Sequence, residues 1–197
     1  MYRKVLIVIL VVAAFAACNS GKNAGGGSAD SIKTHVAAPS APASALNDTG
    51  TAKLVKIVNA YYTVKDALVA AKADNAQRAA DSLSAAAVSL QGFLLQKEGM
   101  PGPYKPYLDT IIMECRAIAA ATDKTCEQQR LAFGPMSSAL YALAKSTELR
   151  HISIYHEFCP MAFNEKGATW LSNESEIKNP YFGDKMLDCG EVLDSLQ

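Results

Sequence analysis

The chain has 197 residues, half of them hydrophobic, with 19 basic and 19 acidic side chains. No basic patch or charge block stands out of this balance, which leaves nucleic-acid binding without an electrostatic footing. Beyond the N-terminal segment no further long apolar run occurs, so a second membrane span is not expected.

The first elements read as a targeting signal. Met1-Tyr2-Arg3-Lys4 is cationic, and Val5 to Ala17 carries no charged or polar side chain. A positive start, a short apolar run and small residues before a processing site define a secretory signal, and the run is too short for a comfortable span of roughly 20 residues. Phe15-Ala16-Ala17-Cys18 resembles a lipobox, at which bacterial signal peptides are cut and the new N-terminal cysteine is acylated. Phe15 departs from the usual leucine. The expectation is a signal over 1–17, a lipid on Cys18 and anchorage to a membrane. Asn19, rather than aspartate, directs the sorting expectation to the outer membrane, with the domain facing the periplasm. Ordinary secretion, with Cys18 incidental, is the plainer alternative. Cleavage would remove Arg3 and Lys4 and leave 17 basic against 19 acidic side chains. Residues 18–50, with Gly25-Gly26-Gly27, Pro39 and Pro42, read as a flexible tether.

From 51 to 147 the apolar residues recur at spacings of three and four. Leu54, Ile57, Tyr61, Val64 and Leu68 mark a first helix, and Ala76, Ala80, Leu83, Ala87, Leu90 and Leu94 a second. Tyr104, Leu108, Ile111, Cys115 and Ile118 mark a third, and Phe133, Met136, Leu140, Leu143 and Ala144 a fourth. Breaks are expected at 73–75, with Asp74 or Asn75 as a cap, at 99–103 and at 122–125. Gly134-Pro135 should kink or restart the fourth helix. Short turns make neighbours antiparallel, so the expected fold is mainly α: an up-and-down four-helix bundle. Cys115 reads as packing and Arg130 as a salt-bridge residue. A Cys115–Cys126 bridge is disfavoured, because the two sit at different heights from their shared turn.

Residues 148–197 form a different kind of sequence, a small, irregular, loop-rich module packed on the bundle to make one domain of 51–197. His151 to Phe158 is rich in β-branched and aromatic residues and predicts a short strand. Two pairs follow. Cys159 and Met161 flank Pro160, and Met186 and Cys189 lie one helical turn apart. Together they offer two thiolates and two thioethers, with His156 nearby. Soft sulfur ligands select Cu(I) or Ag(I), and thioethers argue against a structural zinc site. Two cysteines in an exported, loop-rich segment also suit a disulfide, with the methionines as core filler. A third option is an enzyme with a Cys159 nucleophile and His156 as base. No orienting third group, phosphate loop, catalytic carboxylate pair or serine elbow accompanies them, so no enzyme is expected.

The stretches Tyr155-His156-Glu157-Phe158-Cys159-Pro160-Met161-Ala162, Gly167-Ala168-Thr169-Trp170-Leu171-Ser172, Asn179-Pro180-Tyr181-Phe182-Gly183 and Met186-Leu187-Asp188-Cys189-Gly190 carry a resemblance. So do Tyr61-Tyr62 and Arg130-Leu131-Ala132-Phe133. The chain resembles a family typical of Bacteroidetes, domain of unknown function 3347, over nearly all of 51–197. Members of that family occur as short lipoproteins and fused to periplasmic adaptor subunits of copper- and silver-type efflux pumps. The resemblance therefore implies metal handling in the envelope. The expected function is buffering of Cu(I) or Ag(I), or its delivery to an efflux adaptor or metallochaperone. Expected ligands are Cys159, Met161, Met186 and Cys189, with His156 a weaker fifth. The alternative is an interaction or scaffold domain stapled by a Cys159–Cys189 disulfide.

Overall fold

The computed structural model describes residues 41–98 and 102–196. Cys18, its signal and most of the expected tether lie outside them. Four helices occupy the first part: α1 (Asp48–Val69), α2 (Ala73–Glu98), α3 (Lys105–Ala120) and α4 (Glu127–Ser146). Three strands follow, β1 (Ile154–Cys159), β2 (Ala168–Ser172) and β3 (Glu191–Leu196). The protein is mainly helical, as its periodicity requires. Among the described residues no helix is long and apolar enough to cross a membrane.

Each helix buries the stripe its spacing predicts. Leu54, Ile57, Tyr61, Val64 and Leu68 of α1 are fully buried, as are Leu83 and Leu90 of α2, Ile111 and Ile118 of α3, and Phe133, Met136 and Leu140 of α4. The helices pack in chain order, each against its neighbour, and α1 meets α4 through Tyr61 and Phe133, stacked at 5.0 Å between ring centroids.

The ends differ from the expectation in instructive ways. Asn47 caps α1 by accepting the Gly50 N–H at 2.9 Å. The folded region therefore begins before 51. Residues 43 and 45 already pair with the chain after α4, through Ala43–Arg150 and Ala45–Thr147 hydrogen bonds. The first break falls at 70–72 rather than 73–75. There the Lys72 N–H bonds to the Ala67 carbonyl and the Ala71 N–H to that of Leu68, a Schellman closure with Ala71 in the left-handed region at φ 50°. Glycine usually fills that position, and its absence hid the stop. Asp74 and Asn75 consequently lie inside the first turn of α2 and bond to Lys124 and Arg78 instead.

Gly134-Pro135 does not restart α4, which continues through Pro135 as one helix. The carbonyl that Pro135 cannot bond belongs to Leu131, a residue 61% exposed, so water can satisfy it. Gly134 leaves room for the Phe163 ring, which would lie 3.3 Å from a Cβ there.

The expected strand is the centre of a three-stranded antiparallel sheet of order β2-β1-β3. Tyr155 faces Ser172 and Cys159 faces Ala168 in the β1–β2 register. The β1–β3 register shifts at His156/Glu157, where Leu193 is the extra residue of a bulge. The sheet is fastened to the helices by polar contacts as well as burial. The Tyr61 hydroxyl accepts the Leu171 N–H, and the Tyr62 hydroxyl donates to the Ser153 carbonyl at 3.3 Å.

Candidate functional site

Cys159 ends the central strand and is fully buried, while Cys189 lies just before β3 and is partly exposed. Thirty residues apart in sequence, their sulfurs are 2.8 Å apart, and both are free thiols. Several local devices deliver Cys189 to this place. Gly190 follows at φ +152°, and a Cβ there would meet the Trp170 ring at 2.8 Å and the Phe158 carbonyl at 2.9 Å, so only glycine lets β3 start so close to β1.

Asn179 organises the loop. It is fully buried. Its N–H donates to the Leu187 carbonyl at 2.8 Å, its Nδ2 to the Cys189 carbonyl at 2.7 Å, and its Oδ1 accepts the Tyr181 N–H at 2.8 Å. This residue was missed as a site residue, although the Asn-Pro pair is a recognised turn signal. Arg130 holds the same loop from the helical side. It makes no salt bridge among the described residues, contrary to expectation. Its guanidinium donates instead to three carbonyls, Pro180 and Thr125 at 2.8 Å each and Leu68 at 3.2 Å.

The Cys189 thiol is pushed up to about 11, first by its hydrogen bond with the Cys159 sulfur, then by burial and the Cys159 charge. The Met161 N–H, aimed at the same sulfur, works the other way. Met161 and Met186 are 42% and 37% exposed and line one surface cleft of about 890 Å³. Its walls include the start of α4 and a left-handed turn at Phe163, Asn164 and Glu165, with φ of 54°, 58° and 65°. Such backbone costs on the order of 1 kcal/mol or more per residue. The turn is held by the Gly167 N–H bonding to the Ala162 carbonyl at 3.0 Å and by the Phe163 ring packed edge-on to Tyr181.

His156 is not brought to the sulfurs. Three residues from Cys159 on a strand, it lies on the opposite face, stacked on Tyr141 of α4 at 3.8 Å. Burial lowers its basicity, with the Asp194 charge opposing. Glu157 shares the Cys159 face and is fully buried beside Trp170, its register partner. Burial pushes it up to about 7, against the pull of the Lys65 charge and the indole N–H. Neither of its oxygens nor Trp170 Nε1 has an aligned hydrogen-bond partner. In the bundle, Cys115 packs against Met136 with sulfurs 3.8 Å apart, and no bridge joins it to Cys126.

Among the described residues, no group of three or more His, Cys, Asp or Glu side chains is placed to hold a metal. A metal at the thiol pair would thus draw on two sulfurs plus thioethers. Two bonds of ~2.3 Å to one ion place the sulfurs roughly 3.5–4 Å apart, so Cys189 would move outward by about 1 Å. A disulfide requires closure to ~2.05 Å.

Fold and site define a helical domain with a C-terminal sheet that joins two distant cysteines. Residues 57–151 match a family described as protein of unknown function (DUF3347). The match runs from α1 to just before β1, so the cysteine pair and the Asn-Pro-Tyr loop lie beyond it. No curated protein and no solved structure matches the chain.

Proposed function

We propose that this domain is a non-enzymatic binding protein for a soft heavy metal, Cu(I) or Ag(I), that buffers the ion or passes it to an efflux adaptor or metallochaperone. The observation that supports the reading is the thiol pair: Cys159 and Cys189 with sulfurs 2.8 Å apart, with the exposed methionines Met161 and Met186 two and three residues from them in sequence. Cys159 is fixed by its strand, and Cys189 sits on a loop at the surface, so the second sulfur can adjust to an ion. Soft ions favour such ligands over the hard oxygen sites that carboxylates provide. The signal and the Cys18 motif support placing the domain in the cell envelope, lipid-anchored and facing the periplasm. Because the Cys189 thiol holds its proton near neutrality, binding releases a proton there and weakens as pH falls.

Titration of the reduced protein with Cu(I) against a chromogenic chelator tests the reading. One ion per chain is expected, with affinity lost in the C159S/C189S double variant and reduced several-fold in M161L/M186L. Unchanged affinity in the double cysteine variant sinks the idea.

A second reading has its own support in the close sulfurs and in the absence, among the described residues, of a third His, Cys, Asp or Glu side chain placed beside them. In it, Cys159–Cys189 is a structural disulfide stapling the loop to the sheet of an interaction domain. Mass analysis of non-reduced protein from the envelope discriminates, since a loss of two hydrogens in the linked peptides favours the staple.

A further inference from the structure

The two cysteines are unlike in their exposure. Cys159 is fully buried in the middle strand, whereas Cys189 reaches the surface. Their sulfurs are adjacent, so pairing or parting them needs a shift of about 1 Å rather than a change of fold. The loop that carries Cys189 is held by other bonds in either state, through Asn179 to Leu187 and Cys189, and through Arg130 to Pro180. Access is also one-sided. Met161 and Met186, next to Cys189 through the Met161 N–H and the Met186 carbonyl, open onto the surface cleft. Exchange at a disulfide depends on which sulfur a thiolate can reach.

We infer that Cys159–Cys189 is a reversible thiol–disulfide couple, exchanging with external thiols through Cys189 and so switching the sulfur site between an open and a closed form. In the closed form an external thiolate attacks Cys189 Sγ, the Cys159–Cys189 bond breaks, and Cys159 leaves as a thiolate that takes up a proton. A second external thiolate attacks the external sulfur of the mixed disulfide. That bond breaks, Cys189 is freed and protonated, and the external disulfide departs. Two electrons and two protons pass from two small thiols to the pair, and the reverse sequence, with a small disulfide as oxidant, closes it. The inference rests on the proposed function only in using the same two sulfurs, whose closure removes both thiolates from any metal.

The test uses the whole chain, oxidised with diamide and then exposed to reduced glutathione without denaturant, acid-quenched and peptide-mapped. Glutathione should appear on Cys189 at least tenfold more than on Cys159, followed by full conversion to the dithiol with an unchanged helical circular-dichroism spectrum. In parallel, oxidised glutathione should form a lasting adduct with C159S and at least tenfold less with C189S. A disulfide that yields only after denaturant is added overturns the inference. So do a mixed disulfide found mainly on Cys159 and a failure of diamide to link the pair. Cu(I) titration of fully reduced protein separates the two readings. Exchange without Cu(I) binding overturns the metal function and leaves the couple standing, whereas Cu(I) binding by a pair that never exchanges overturns the couple alone.

Discussion

The Tyr61 hydroxyl accepts the Leu171 backbone N–H at 3.1 Å and lies 2.7 Å from Ser137 Oγ, so one phenol ties α1, α4 and β2 together in a fully buried place. Burial and the neighbouring Tyr181 keep this phenol protonated at any physiological pH. Removing the oxygen in Tyr61→Phe would leave the Leu171 N–H buried without a partner, while Ser137 keeps its bond to the Phe133 carbonyl. The expected loss is about 1–3 kcal/mol in urea denaturation. An unchanged midpoint would mean that this junction carries no weight in the stability of the fold.

Arg130→Lys tests the loop clamp. A lysine ammonium cannot reproduce a planar fork that serves three carbonyls on three segments. Stability should fall by about 1–2 kcal/mol. Cys189 should also react faster with iodoacetamide, because the Pro180 anchor of its loop is lost. Unchanged alkylation would separate the clamp from the site.

Glu157 makes stability depend on pH in an unusual direction. Its folded value of about 7 lies above the ordinary 4.5, so between those values the folded protein holds a proton that the unfolded chain has released. Below 4.5 both states are protonated and its stabilising proton is fully kept. Stability then declines as pH rises from 4.5 to 7 and levels off beyond. Glu157→Gln removes the titration, so between pH 5 and pH 8 the wild type should lose about 2 kcal/mol more than the variant. A difference between the two that stays constant from pH 4 to 8 would refute this.

Oxidation of the sulfur pair should raise stability. Linking 159 to 189 closes a loop of thirty-one residues, which by chain entropy contributes about 3–4 kcal/mol. Denaturation of oxidised and reduced protein should differ by roughly that amount, and C159S/C189S should resemble the reduced form. Equal midpoints would overturn the expected gain.

The bundle was legible because its signal is local. Leu54 to Leu68, and the matching runs in the other helices, repeat with the helical period and needed no partner to be read. Turns with ordinary chemistry, such as Asp123 accepting the Glu127 N–H, were legible too. The stop at Ala71 was not, since nothing in an alanine announces a left-handed residue. The continuation of α4 through Pro135 was not either, because it depends on Leu131 facing solvent. In the C-terminal module only β1 had a pattern of its own. β2 and β3 are too short and mixed to identify before it is known that β1 stands between them.

Among the sulfur residues, type and spacing alone marked out Cys159, Met161, Met186 and Cys189. Sequence could not say that the two cysteines meet, or that His156 points away from them. The parity of a strand, known only once β1 is in place, puts His156 against Tyr141 and Cys159 on the other face. The meeting of the sulfurs depends on Gly190 allowing β3 to start against β1 and on Asn179 folding the intervening loop. Sequence by itself thus determined the helical stripes, the candidate export signal and the supply of soft ligands, since these rest on local periodicity and side-chain chemistry. Tertiary structure alone decided which sulfurs share a point, which one reaches solvent and which carboxyl is buried beside Trp170. Those are distances between segments far apart in the chain, set by how strands and helices pack.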